Sequence, residues 1–122
     1  MTATEHARQL TAIAAQAAAD KFGKDIVAYD VSEQLAITDV FLVLTAGSDR
    51  QVGAVVDAVE EALHGEGVKR TRIEGDRERR WVLIDFLDIV VHVMQAEERT
   101  LYSLERLWGD CPRLDLGLAE QQ

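Results

Sequence analysis

The sequence predicts an α/β domain in which a mixed five-stranded sheet is flanked by helices. Segments with helical spacing of apolar residues alternate with short segments rich in β-branched residues. Val40 to Leu44 is an uninterrupted apolar run, which is typical of an interior strand covered on both faces. Trp81 to Phe86 and Asp88 to Met94 follow each other too closely for anything except an antiparallel hairpin.

The N-terminal part of the chain predicts a helix followed by a strand. Thr2 and Glu5 have the spacing of a capping box, and apolar residues then recur at helical intervals until Gly23, which is expected to cap the C-terminus. Asp25 to Val31 contains β-branched and aromatic residues and is therefore predicted to be a strand. Val40 to Leu44 is the second strand.

The middle of the chain predicts a βαβ unit. Ser48 and Gln51 again have capping-box spacing, and one apolar face continues until Gly65. Val68 to Ile73 follows as a short strand. Because a strand, a helix and a strand occur in this order, the two strands are predicted to pair in parallel through a right-handed crossover.

The C-terminal part predicts one last helix and a tail. Glu97 and Glu98 suit a helix N-terminus, where negative charge is favourable. The expected apolar stripe of this helix is Leu101, Leu104, Leu107 and Trp108. We therefore expect a single domain over residues 1–112 and a short, mobile tail over residues 113–122, which has little apolar content.

Charge and composition limit the classes of partner and the compartment. The 22 acidic residues outnumber the 13 basic ones, so the formal net charge is −9. This charge disfavours tracking of a phosphate backbone and favours a basic protein as partner. The lone Cys111 excludes an intrachain disulfide, and it is expected to be an ordinary residue. With no signal-peptide pattern or long apolar run, we expect a cytoplasmic protein that makes no membrane contact.

The hairpin is predicted to have two different faces. With its turn at Phe86 and Leu87, the register pairs Asp85 with Asp88, Leu83 with Val90 and Trp81 with His92, and paired residues share a face. The other face is wholly apolar and should lie against the helices. The mixed face has an apolar centre and a polar rim, which is typical of an interaction surface. The alternative is that Trp81 belongs to the core and that the aspartates only solvate a turn.

Enzymatic functions find little support in the sequence. Gly47 and Ser48 before a helix, with Arg50 nearby, could hold an anion, and a nucleotidyltransferase-like enzyme is the alternative function. The strand after that helix lacks the carboxylates that bind the metal ions of such enzymes. A catalytic set of Ser48, His92 and Asp85 would require an assumed geometry. The histidines and the cysteine lack metal-ligand spacing. We therefore predict no catalytic residues, no metal and no cofactor.

Taken in order, several segments resemble the bacterial ribosomal silencing factors, also called the Iojap-like family. The resemblance extends over about residues 8 to 110. Its residues are Ile37-Thr38-Asp39, Gly47-Ser48-Asp49-Arg50-Gln51-Val52, Glu74-Gly75, Trp81-Val82-Leu83-Ile84-Asp85, Asp88-Ile89-Val90-Val91-His92-Val93 and Tyr102-Ser103-Leu104-Glu105-Arg106-Leu107-Trp108.

The resemblance implies a fold, a partner and a mechanism. The fold would be a nucleotidyltransferase-like core without the catalytic carboxylates. The partner would be large-subunit ribosomal protein fourteen, a basic protein whose occupation blocks joining of the small subunit and represses translation under nutrient limitation. It also implies homodimers off the ribosome and no direct nucleic-acid specificity. The residues expected to bind the partner are Glu74, Trp81, Asp85, Asp88, His92, Tyr102 and Glu105.

Leu87 departs from the family pattern, in which glycine often occupies the hairpin turn. Leucine resists a positive φ, so the two-residue turn assumed above, and with it the register, could differ.

Overall fold

The computed structural model describes residues 2–118. The helices are α1 (Glu5–Asp20), α2 (Asp49–His64), α3 (Ala96–Leu101) and α4 (Leu104–Trp108), and the strands are β1 (Lys24–Asp30), β2 (Val40–Thr45), β3 (Arg72–Glu74), β4 (Trp81–Asp85) and β5 (Ile89–Met94). The strands form one sheet in the order β1-β2-β5-β4-β3. The predicted mixed five-stranded sheet with flanking helices is therefore confirmed.

The sheet contains one parallel pair, which is β2 with β5, and the other neighbours are antiparallel. The predicted parallel pairing of the strands on either side of α2 is wrong, because β3 pairs with β4 at the far edge of the sheet. β3 nevertheless runs in the same direction as β2, since β3 opposes β4, β4 opposes β5, and β5 is parallel to β2. Residues 68–71 of the predicted strand lie outside β3.

Helices α1 and α2 pack together on one face of the sheet and form the main core. Fully buried alanines of α1, among them Ala14, Ala15 and Ala18, belong to this core together with the apolar face of α2. The wholly apolar hairpin face also belongs to it, as predicted, and consists of Val82, Ile84, Phe86, Ile89, Val91 and Val93. Burial of such side chains stabilises the fold by roughly 1.5 to 3 kcal/mol each.

The helix ends differ from the sequence prediction at α1 and agree with it at α2. Thr4, not Thr2, caps α1, because its hydroxyl accepts a hydrogen bond from the Ala7 amide. The left-handed residue after α1 is Phe22 (φ 68°), while the Gly23 amide donates to the Ala18 carbonyl. Ser48 caps α2 as predicted and accepts from the Gln51 amide at 3.1 Å.

The β4–β5 hairpin has a different register from the predicted one. Trp81 pairs with Met94, Leu83 with His92, and Asp85 with Val90, so that the pairing is shifted by two residues. The turn consists of Leu87 and Asp88, and Leu87 adopts a φ of 74° despite its side chain. Because side chains alternate along a strand, a shift of two residues leaves the side chains of the two strands on their predicted faces. Asp88, which was predicted to lie on the mixed face, is now a turn residue and approaches His6 on α1.

The predicted last helix is two short helices, because residues 102 and 103 interrupt it. Leu104, at the start of α4, is buried, and Trp108 is half-buried. They pack with Tyr29, Val43 and Met94 in a second core on the other face of the sheet. The single apolar stripe expected here is therefore wrong, since Leu101 and Leu107 are exposed at 71% and 72%.

Residues 112–118, most of which belong to the predicted tail, follow the outer edge of β1. The Asp30 amide donates to the Pro112 carbonyl at 2.8 Å, and the Leu114 amide donates to the Ala28 carbonyl at 3.0 Å. Leu114, Leu116 and Leu118 are half-buried against the main core. Mobility of the tail stays a prediction, and its part over residues 119–122 lies outside the described residues.

Candidate partner-binding face

The face of β4 and β5 that points away from α1 and α2 is only partly covered. Helix α4 covers this side of the sheet near β1 and β2, where Leu104 and Trp108 pack. Trp81, Leu83 and Asp85 on β4 remain half-buried, and so does Phe41 on β2. We call this partly uncovered surface, with the side chains that border it, the open face.

Trp81 lies in a row of aromatic side chains that crosses the open face. Its ring centroid is 5.0 Å from that of Tyr102, which follows α3. On the other side, the Trp81 Nε1–H donates to His92 Nδ1 at 3.1 Å. His92 in turn contacts Phe41 edge to face, with centroids 4.9 Å apart, and Phe41 contacts Trp108 in the same way. The indole is therefore held in one orientation by neighbours on both sides.

His92 lies beneath the open face and not on it. Its side chain is 3% exposed, and burial lowers its pKa from 6.5 to about 4. Because Nδ1 accepts from Trp81, the neutral ring carries its proton on Nε2, which has no hydrogen-bond partner within residues 2–118. His92 was expected from the sequence to contact the partner, but its buried side chain contacts Trp81 and Phe41 within the chain.

Two carboxylates and one guanidinium border the apolar part of the open face. Asp85 is half-buried, and its Oδ1 accepts from the Leu87 amide at 2.8 Å. The Arg72 guanidinium lies 3.9 Å from Asp85 Oδ2 but only 2.8 Å from Glu74 Oε2. Glu74 itself is exposed on β3. These three groups carry a formal charge of −1 together.

The remaining predicted site residues do not all converge here. Tyr102 is 51% exposed beside Trp81. Glu105 is half-buried and binds the Arg99 guanidinium at 2.6 Å, so it ties α3 to α4. Asp88 lies in the hairpin turn, with its carboxylate 3.9 Å from His6 on α1. The structure thus groups Glu74, Trp81, Asp85 and Tyr102, places His92 beneath them, and directs Asp88 toward α1.

Sequence reasoning missed the loop before β2. Leu35 and Ile37 line a groove on the open face together with Phe41 and Leu83, and Ile37 is 83% exposed. An exposed isoleucine in a loop gives no signal in a periodicity search. Phe41 was hidden because every residue of the run from 40 to 44 is apolar, so that alternation does not distinguish the two faces.

The groups considered for catalysis or anion binding are engaged within the chain or lack the required reactivity. The Gly47 amide donates to the Gln51 side chain, and the Ser48 hydroxyl caps α2, so both are engaged within the chain. Burial raises the pKa of the Cys111 thiol, which opposes thiolate formation. Within residues 2–118, no group of three His, Cys, Asp or Glu side chains is arranged to hold a metal ion. In the same range, none of the helices has the length and apolar character needed to cross a membrane.

Comparison with known proteins identifies the family. The family model described as "Ribosomal silencing factor during starvation" matches residues 4–122. The chain belongs to this family. A Bacillus subtilis member, named "Ribosomal silencing factor RsfS", is 39% identical over 115 residues, which are 94% of this chain and 98% of that protein.

Solved structures of similar proteins have the same fold. A crystal structure of a Chromobacterium violaceum protein matches with a TM-score of 0.80 and 34% identity over 91% of this chain and 92% of the other. A crystal structure from Bacillus halodurans matches with a TM-score of 0.77 and 34% identity over 88% of this chain and 97% of the other. The family resemblance found in the sequence is thereby confirmed. The likeness to a nucleotidyltransferase core stays a prediction.

Proposed function

We propose that this chain is a non-enzymatic repressor of translation that binds the large ribosomal subunit through large-subunit ribosomal protein fourteen. Its bulk then excludes the small subunit, and translation falls when nutrients are limited. The observation that carries the proposal is membership in the ribosomal silencing family, combined with an open face that has an apolar centre and an acidic border. We further propose that the protein acts in the cytoplasm and forms homodimers off the ribosome.

Charge complementarity supports a basic protein as partner. The chain has a net charge of −9, and Glu74 and Asp85 border the apolar surface around Trp81 and Leu83. Such an arrangement steers a cationic partner and repels polyanions such as exposed RNA. Trp81 and Tyr102 would supply the central contacts, since large aromatic residues dominate the binding energy of many interfaces.

The predicted site residues have different roles in this proposal. Glu74, Trp81, Asp85 and Tyr102 would contact the partner directly. His92 would act through Trp81, because it is buried. Glu105 would hold α4 through Arg99, and Asp88 would contact a partner only if that partner also reached the α1 side of the hairpin.

Truncation of the central tryptophan tests the proposal. Trp81→Ala should weaken binding to purified ribosomal protein fourteen by about 2 kcal/mol or more, which is roughly a 30-fold rise in Kd by calorimetry. Phe22→Ala is the matched control, because it removes an aromatic side chain that is 77% exposed at the end of α1. Tyr102→Ala provides a second test that leaves the Trp81–His92 hydrogen bond in place. Equal affinities for wild type and both open-face variants, all folded by circular dichroism, would refute the proposed surface.

Ionic strength and subunit assembly provide independent tests. Binding should weaken as salt increases, because salt screens charges on exposed groups. In sucrose gradients, the protein should sediment with free large subunits, and it should reduce the yield of joined ribosomes without any nucleotide. A nucleotide with magnesium should leave the melting temperature unchanged, whereas a rise would favour the nucleotidyltransferase-like alternative. Normal subunit joining in the presence of saturating protein would contradict the proposed mechanism.

A further inference from the structure

A small groove lies on the open face between the loop before β2 and the tip of the β4–β5 hairpin. Its volume is about 170 Å³, which suits one side chain and is too small for a nucleotide or a drug-sized ligand. Its walls are largely apolar and consist of Leu35, Ile37, Phe41, Leu83, Leu87 and Val90. The groove is therefore suited to bind the aliphatic part of a side chain.

Three polar side chains also line the groove, and two of them offer acceptors to a guest. Thr38 is 6% exposed, and its hydroxyl has no hydrogen-bond partner within residues 2–118. Asp85 uses Oδ1 to accept from the Leu87 amide, while the one partner of Oδ2 within residues 2–118 is the Arg72 guanidinium at 3.9 Å. Arg72 is nearer to Glu74, at 2.8 Å, and is exposed enough to move away. A donor entering the groove can therefore reach the Asp85 carboxylate directly, and it can reach the buried Thr38 hydroxyl once a neighbouring side chain shifts.

The chemistry of the lining favours a side chain with an aliphatic stem and a head group that only donates hydrogen bonds. A wholly apolar guest would leave the buried Thr38 hydroxyl unpaired, which is unfavourable. An acidic guest would meet the carboxylate of Asp85. A lysine has an aliphatic stem that can lie along Leu83 and Val90 and an ammonium group that only donates hydrogen bonds. This combination matches both the walls and the two acceptors.

We propose that the groove receives a lysine side chain of the basic partner, with its ammonium group between Asp85 and Thr38. This inference rests on the proposed function, because the lysine would belong to the ribosomal protein. In the free chain the Arg72 guanidinium lies 3.9 Å from Asp85, and the lysine ammonium would replace it there. The groove would therefore select for a lysine at one position of the partner, in addition to the general attraction between unlike charges.

Three substitutions should have effects of different sign on binding. Asp85→Asn should raise the Kd for purified ribosomal protein fourteen about tenfold, since a hydrogen bond to a charged group is lost, while the asparagine oxygen still accepts from the Leu87 amide. Arg72→Gln should lower the Kd several-fold by removing the competing cation. Thr38→Val should weaken binding a few-fold and raise the Tm of the free chain by about 4 °C, because the shape is kept and an unpaired buried hydroxyl is removed.

Two further measurements test whether the effect depends on Asp85 and on lysines of the partner. They are a control variant at another carboxylate and acetylation of the partner's lysines. Asp57→Asn removes an exposed carboxylate of α2 and should change the Kd less than twofold. Acetylation of the lysines of ribosomal protein fourteen should weaken binding to the wild-type chain more than to Asp85→Asn. Failure of the wild-type chain to bind the unmodified ribosomal protein would refute the proposed function, and this inference with it. Wild-type binding with the same Kd for Asp85→Asn and Thr38→Val, and an equal acetylation penalty, would refute the lysine groove alone.

Discussion

Acid sensitivity of the fold should depend on His92. Burial lowers the pKa of His92 from 6.5 to about 4, so the folded chain keeps this imidazole neutral at pH values where the unfolded chain protonates it. The unfolded state therefore binds more protons between pH 6.5 and 4, and the free energy of unfolding falls as the pH is lowered through this window. Above about pH 6.5 the imidazole is neutral in both states, so the titration of His92 no longer lowers the free energy of unfolding.

The size of the effect follows from the two pKa values. A gap from 6.5 to about 4, at about 1.4 kcal/mol for each pH unit, amounts to roughly 3 kcal/mol when titration is complete. At pH 4.5 the loss relative to pH 7 should be roughly 2 to 3 kcal/mol. This loss is a large fraction of the stability of an ordinary domain, which is about 5 to 15 kcal/mol.

Urea denaturation of the wild-type chain and of His92→Asn, at pH 7 and at pH 4.5, measures this contribution. Asparagine cannot titrate, but its Oδ1 can take the place of Nδ1 as the acceptor for Trp81 Nε1–H. Carboxylates that protonate in the same range are common to both proteins, so their effect cancels in the comparison. The variant should lose roughly 2 to 3 kcal/mol less than the wild type. Equal losses in the two proteins would show that His92 is not kept neutral by burial.

Backbone conformation provides two further predictions, both measurable by urea denaturation. Leu87→Gly should raise the free energy of unfolding by about 0.5 to 1 kcal/mol, because glycine tolerates the φ of 74°, and Leu87→Ala should bring no such gain. Gly75→Ala should lower the free energy of unfolding by more than about 2 kcal/mol, since its Cβ would overlap the Trp81 carbonyl oxygen. Gly67 also has a positive φ, of 79°, but a Cβ there would lie in open space, so Gly67→Ala should lower the free energy of unfolding by only about 1 kcal/mol. Similar costs at both glycines would argue against the close approach at Gly75.

The hairpin illustrates why a wrong register still gave the correct faces. The turn was assigned to Phe86 and Leu87, but it lies at Leu87 and Asp88, and the pairing moved by two residues. Side chains alternate with a period of two, so this particular error left Trp81 and Asp85 on the same side. A shift of one residue would have exchanged the core and the surface.

Local sequence patterns could not predict which strands pair across long distances in the chain. The order of elements around α2 resembles a βαβ unit, yet β5 lies beside β2, and β3 is two strands farther along. Which strand becomes the neighbour depends on contacts between segments about fifty residues apart, such as Val40 with Ile89. Neither local propensity nor the apolar pattern of one segment contains this information.

Burial of His92 was missed for a related reason. The sequence predicted the face of the sheet to which His92 belongs, but it could not indicate what covers that face. The covering depends on the break after α3, where Ser103 (φ −5°, ψ 75°) separates the two short helices and α4 brings Leu104 and Trp108 over the sheet. A continuous helix, as the stripe predicted, would have directed these side chains differently.

The unequal covering of the two sheet faces supports a partner on the open face rather than an ordinary surface. Six large apolar side chains are exposed within residues 2–118, and they are Phe22, Ile37, Leu87, Leu101, Tyr102 and Leu107. Ile37 and Leu87 line the groove, and Tyr102 packs against Trp81 on the same face, while Leu101 and Leu107 belong to α3 and α4. Scattered exposed apolar residues need no explanation, but a concentration on one side marks an interaction surface. Because α1 and α2 cover most of the other face with their apolar sides, we expect the open face to be where the chain and its partner exclude water together.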